Sequence, residues 1–122
     1  MLPSDEFFQL VGPRWKLAKA ICIHETNGDP LAVGDNGDAQ GMFQLHTAFA
    51  IDHVVPALNP TFVTLRGEPF ASINIMKNFL KMYDANADKD IIGVFHNGAV
   101  GWMNNGDKDG YVATVLAILS KL

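Results

Sequence analysis

The sequence predicts one mainly α-helical domain covering residues 1–122, with a Gly/Asp-rich loop or small β-ribbon beside its helices. Three observations predict it. Apolar residues recur at the 3.6-residue period in several stretches. Most of those stretches open on a capping residue and close on Gly or Pro. One segment, residues 28–38, breaks the pattern with three glycines and three aspartates. At 122 residues, 48% hydrophobic and 18% charged, the chain is an ordinary globular domain. It is long enough to bury roughly two thirds of its unfolded surface without disulfide or metal.

The elements follow in order. Ser4 caps a short helix through about Val11, stopped by Gly12-Pro13. Arg14 to Thr26 is the main helix. Leu17, Ala18, Ile21 and Cys22 form its apolar stripe, Glu25 continues that stripe, and Asn27-Gly28 end it. Residues 28–38 are a loop in which a two-stranded ribbon is an option. Ala39–Leu45 reads as a short helical turn. Thr47 caps a helix through Val55 that Pro56 ends, and residues 56–67 read as irregular. Pro69 suits the first turn of a long helix to about Tyr83, striped by Ile73, Met76, Phe79 and Leu80 or Tyr83. Asp88 caps a helix through His96, closed by Asn97-Gly98. Gly98–Gly110 is a loop and Tyr111–Leu119 a last apolar helix.

Composition narrows the function. A net charge of −4 argues against nucleic acid, which demands a basic face. No apolar run reaches the length of a membrane span. The start, Met-Leu-Pro-Ser-Asp-Glu-Phe-Phe, is acidic and lacks the apolar core of a signal peptide. Cys22 is the single cysteine, so no intrachain disulfide exists, and its apolar surroundings make it a small core residue.

Chemistry points to Glu25. The negative end of the helix dipole and partial burial both disfavour its ionised form. A carboxyl held protonated near neutral pH is what a general acid requires. The plainer alternative is a solvated helix-end glutamate. The loop must then return the chain over Glu25, and Gly34, Gly37 and Gly41 allow tight turns there. Gln44 offers a donor and an acceptor to sugar hydroxyls or amides; the alternative is a polar turn residue. Asp35 is the best second carboxylate, able to activate water in a hydrolase, or simply a residue that turns the loop.

At these residues the chain resembles the lysozyme-like superfamily, in its soluble lytic transglycosylase and goose-type lysozyme branch. That branch carries Glu-Ser at a helix end and then Gly-Leu-Met-Gln; here stand Glu25-Thr26 and Gly41-Met42-Phe43-Gln44. Asp29-Pro30-Leu31-Ala32-Val33 is similar to an intervening Asn-Pro-Ala-Val. Asn74-Ile75 is similar to an Asn-Ile helix start, Val94-Phe95-His96-Asn97-Gly98 to Ala-Tyr-Asn-x-Gly, and Tyr111-Val112 to a final Tyr-Val helix. The order holds over about residues 15–119. The resemblance implies Glu25 as the single catalytic acid/base, and a sugar-binding wall of Gln44 with Met42 and Phe43. It also implies Phe95 and His96 near the reacting sugar, with Tyr111 closing the cleft. The implied substrate is the β-1,4 bond between N-acetylmuramic acid and N-acetylglucosamine in peptidoglycan glycan strands, cleaved without cofactor or metal.

The sequence also departs from the family. His96 replaces an Asn, Phe95 lacks a Tyr hydroxyl, and His46 stands where goose-type enzymes carry a further Asp. Gly34-Asp35-Asn36-Gly37, in contrast, follows the goose-type pattern. Three readings stay open: a transglycosylase giving 1,6-anhydro ends, a hydrolytic muramidase using Asp35, and a peptidoglycan-binding module without turnover. The setting expected is the cell wall, reached by a phage particle, lysis or a secretion machine, or as a domain of a larger protein, with a virion or immunity partner left open.

Two further patterns carry less. Asp84–Asp90 has the opening rhythm of a calcium loop, but Lys89 stands at its sixth position and Phe95 at its twelfth. A polar linker is the better reading. His46 and His53 lack a third ligand at zinc spacing. Trp15 and Trp102 read as packing residues or cleft walls, Trp102 with the option of stacking on a sugar.

Overall fold

The computed structural model describes residues 2–55 and 59–122. The chain is mainly helical, with one two-stranded antiparallel ribbon. Helix α1 (Asp5–Phe8) starts where Ser4 Oγ accepts the Phe7 N–H, and continues as a 3-10 turn over Gln9–Val11. Helix α2 (Trp15–Glu25) buries Leu17, Ala18, Ile21 and Cys22, the stripe expected from the sequence. Strands β1 (Val33–Gly34) and β2 (Ala39–Gln40) pair Val33 with Gln40 and Gly34 with Ala39.

Several expectations require correction. Ala39–Leu45 is not a helical turn. Gln40 and Leu45 exchange backbone hydrogen bonds in an antiparallel bridge, and Gln44 takes φ 53° between them, outside helical geometry. Helix α3 (Thr47–Asp52) is shorter than expected, and its cap position is His46 rather than Thr47. Asp38 does the capping from the loop: its Oδ1 accepts both the Thr47 N–H and the Thr47 hydroxyl. The expected stop at Pro56 lies outside the described residues. Within residues 56–67, helix α4 (Asn59–Thr64) replaces the irregular segment.

Helix α5 (Pro69–Met82) begins with Pro69 at its first turn, and Glu68 caps it by accepting the Ala71 N–H. Asn74-Ile75 therefore lies mid-helix rather than at a helix start, with Ile75 fully buried. Helix α6 (Asp88–Asn105) breaks at Gly98, whose φ 74°, ψ 161° only glycine adopts readily. The stop expected there is real, but the chain resumes helical form to Asn105 instead of looping to Gly110. Ala87, not Asp88, holds the cap position. The Asp88 carboxylate instead takes the Arg14 guanidinium, which also donates to the Asp84 and Asn86 carbonyls. The stretch with the calcium-loop rhythm is thus an arginine-clasped linker. Helix α7 (Tyr111–Leu119) matches its expected bounds.

The core joins α2, α5, the first half of α6 and α7 through Phe8, Leu17, Ile21, Phe43, Met76, Phe79, Ile91 and Val115. Helix α7 packs along α2. That packing sets the first turn of α7 beside the last turn of α2 and brings Tyr111 to Glu25.

Candidate active site

Glu25 ends α2. The next residue ties the helix end to the returning loop: Thr26 Oγ1 donates to the Met42 carbonyl at 2.8 Å and accepts the Gly28 and Asp29 N–H groups. The loop closes further where the Ala32 carbonyl accepts the Gly41 N–H at 2.9 Å and Gln44 Nε2 at 3.0 Å. Gly41 has no alternative. Its φ is +80°, and a Cβ there would lie 2.6 Å from the Gly67 backbone. All the non-glycine residues with positive φ among the described residues, Asn27, Asp35, Asn36 and Gln44, fall in this one segment. Asn and Asp tolerate that region; Gln44 is held in it by the bonds of its amide to Ala32 and Gly41. Backbone outliers concentrate where geometry serves a site.

The result is a cleft of about 360 Å³ lined by residues that include Glu25, Asp35, Gln44, Phe95, His96 and Tyr111. Six of the eight residues singled out from the sequence thus converge. Met42 and Phe43 do not. They are 1% and 0% exposed and belong to the core, so the Gly-Met-Phe-Gln run presents only Gln44 to the cleft. The reason is local: the turn forced by Gly41 sends the two apolar side chains inward beneath the loop.

Glu25 Oε2 accepts the Tyr111 hydroxyl at 2.5 Å. Burial raises the Glu25 pKa above the ordinary carboxyl value, opposed by the Tyr111 bond and by the charges of His24, His96 and His46. Burial and the adjacent carboxyl push the Tyr111 phenol upward, so it remains a donor. With Oε2 occupied by that donor, Oε1 is the oxygen left to carry a proton toward a ligand.

Tyr111 is enclosed. The His96 ring stacks on it at 3.8 Å with an interplanar angle of 1°, and His24 meets it edge-on at 4.8 Å. Asp109 Oδ2 lies 2.6 Å from His96 Nε2, and Asp109 Oδ1 accepts the Tyr111 N–H. Elsewhere in the lining Asp35 Oδ2 lies 2.6 Å from His46 Nε2. The Asp35 side chain is 69% exposed, so unlike Glu25 it is a solvated carboxylate already engaged with an imidazole. Phe95 packs edge-on against Phe49 at 5.2 Å and near Phe79, joining an aromatic cluster at the edge of the cleft.

The sequence reading missed the roles of His24, Phe49 and Asp109. His24 adjoins Glu25 and was visible as a polar residue in an apolar helix. Phe49 and Asp109 carried no signal, because their relation to the cleft depends on how α3 and α7 dock. Trp102 lies outside the cleft lining. Its indole N–H donates to Asp90 at 2.8 Å and its ring covers Gly93, so it packs the two halves of α6 together. His53 is buried, with Nδ1 bonded to the Phe49 carbonyl, and does not join His46. No cluster of three or more metal-ligating side chains occurs among the described residues, and no helix among them is long and apolar enough to cross a membrane. Compared with family models, curated proteins and solved structures, the chain finds no match.

Proposed function

We infer that this protein is a lysozyme-like domain that cleaves the β-1,4 bond between N-acetylmuramic acid and N-acetylglucosamine in peptidoglycan, with Glu25 as the acid/base of a lytic transglycosylase. The observation that carries the reading is one partly buried carboxyl, raised in pKa, facing a cleft of mixed polar and apolar lining and held by a phenol on one oxygen only. Protonated Glu25 gives its proton to the glycosidic oxygen as the bond to C1 breaks. The resulting carboxylate then takes the proton of the muramic 6-hydroxyl, whose oxygen closes on C1 to form the 1,6-anhydro ring. Both steps use the same group, as general acid and then as general base. The cleft adjoins a second hollow of about 580 Å³ through His46, Phe49 and Phe95, space that suits a polymeric ligand better than a small one.

The Asp35–His46 pair favours a second reading, hydrolysis. An inverting hydrolase needs a base opposite the acid to activate water, and both residues line the cleft with Glu25. The transglycosylase is preferred because it needs the Glu25 carboxyl alone, whereas the hydrolase needs a second carboxylate, and Asp35 Oδ2 is engaged by His46.

Digestion of purified peptidoglycan, read by mass spectrometry of the released muropeptides, tests both. Anhydro ends support the transglycosylase; reducing ends, lost in Asp35→Asn, support the hydrolase. Glu25→Gln is expected to lower release by at least about 10²-fold. Wild-type release matched by Glu25→Gln would overturn the assignment of Glu25. Retention on the wall without release would replace an enzyme with a binding module.

A further inference from the structure

We propose that Asp109 is a positioning residue for Glu25, acting through His96 and Tyr111. The inference rests on Glu25 being the acid/base. Asp109 sits in the turn before α7 and uses its two oxygens on two stacked neighbours: Oδ1 accepts the backbone N–H of Tyr111, and Oδ2 lies 2.6 Å from His96 Nε2. The second contact fixes the His96 ring, which lies flat on the Tyr111 ring. The first fixes the point from which the Tyr111 side chain departs. Between them they steady the phenol, whose hydroxyl ends on Glu25 Oε2.

Three separate segments are joined by this chain: the end of α2, the residues of α6 just before the Gly98 break, and the turn before α7. None is covalently adjacent to another, and each is otherwise near an end of its element, where fraying begins. A carboxyl acid must hold its proton-bearing oxygen on one line toward the scissile bond, and small misplacement there costs rate heavily. The bonds from His96 and from the Tyr111 N–H hold the Asp109 carboxyl below its ordinary value, so the anion is the form that does the holding. The other ionisable groups of the same lining are His24 on α2, and His46 paired with Asp35. Asp107, in the same turn, is engaged elsewhere, accepting the Val112 and Ala113 N–H groups at the start of α7.

The test has one arm that needs no substrate. The chain has three glutamates, Glu6, Glu25 and Glu68. Selective ¹³C labelling of glutamate side chains therefore gives three carboxyl signals, with Glu25 assigned by Glu25→Gln. Tyr111→Phe is expected to raise the Glu25 titration midpoint by removing its donor. Asp109→Asn is expected to move it the same way by less, and Asp109→Glu to recover part of the change. In the peptidoglycan assay Asp109→Asn should lower kcat roughly tenfold while KM stays within about twofold. An Asp109→Asn protein whose Glu25 signal and kcat match wild type, with only Tm lowered, would show that Asp109 merely caps α7 and overturn the proposal. A Tyr111→Phe protein with an unmoved Glu25 midpoint would overturn it too. If wild type releases no muropeptide, the acid/base reading fails, and the carboxyl titrations still decide the positioning.

Discussion

Arg66 is expected to be the largest single contributor to holding the loop against the helices. It is 8% exposed. Its Nε donates to the carbonyls of Asp38 (3.2 Å) and Leu45 (3.1 Å), its Nη2 to Asp38 again (3.0 Å), and its Nη1 to Val63 (2.8 Å). One guanidinium thereby joins the loop, the end of the ribbon turn and α4. Arg66→Met keeps the apolar stem and deletes the fork. The Leu45 carbonyl retains the Gln40 N–H, and the Val63 carbonyl retains the Arg66 N–H. The Asp38 carbonyl loses its donors, at a cost of about 1–3 kcal/mol, and the charge-assisted bonds lost elsewhere add a further ~1–2 kcal/mol. Relief of burying the guanidinium offsets part of this. A net loss of roughly 3 kcal/mol follows, which at a urea m-value of about 1–3 kcal/mol/M lowers the midpoint by roughly 1–3 M. Arg66→Lys should recover less than half, because an ammonium cannot span three carbonyls. Equilibrium urea unfolding followed by circular dichroism measures it. A midpoint for Arg66→Met within about 0.3 M of wild type would refute the reasoning.

Gly93→Ala should destabilise by about 2–4 kcal/mol. A Cβ there would lie 2.2 Å from the Trp102 ring, and the ring cannot retreat without breaking its bond to Asp90; thermal melting by tryptophan fluorescence would register it. Cys22 should resist iodoacetamide in the native state at pH 8 and react on unfolding, since burial pushes its thiol pKa up to about 12. Glu25→Gln should be more stable than wild type at pH 8 but not at pH 3. The folded-state pKa of Glu25 is raised, so wild type carries no penalty below the unfolded carboxyl value. It loses stability as pH rises through the folded value. Paired thermal melts across that range would show the gap opening with pH, and a gap of constant size would sink the argument.

How much of this was legible depended on the range of the interactions. Ser4 capping Phe7, the buried stripe of α2 and the bounds of α7 come from residues within one or two turns of each other, so period and cap chemistry predict them. Thr47 misled because the group that satisfies its N–H lies nine residues away, on Asp38. Gly98 was read correctly as a stop but not as a break. Nothing local says that Trp102 will fold back over Gly93 and bond Asp90, and that contact holds the second half of α6 in helical form. Met42 and Phe43 looked like cleft residues beside Gln44. Which of three consecutive side chains faces a ligand is set by the φ of Gly41 and Gln44, and those values are imposed by the approach of Gly67 and the Ala32 carbonyl.

The sequence by itself determined that the domain is mainly helical, where most helices begin, and that Glu25 ends one of them ahead of a glycine-rich return. Those are consequences of residue type and short spacing. Only the tertiary structure decided what surrounds Glu25. The packing of α7 on α2 brings Tyr111 across 86 residues to its carboxyl, the turn before α7 sets Asp109 against His96, and the loop presents Asp35 already paired with His46. Burial is what disfavours the charge on Glu25, and burial is a property of the docked elements that no local pattern contains.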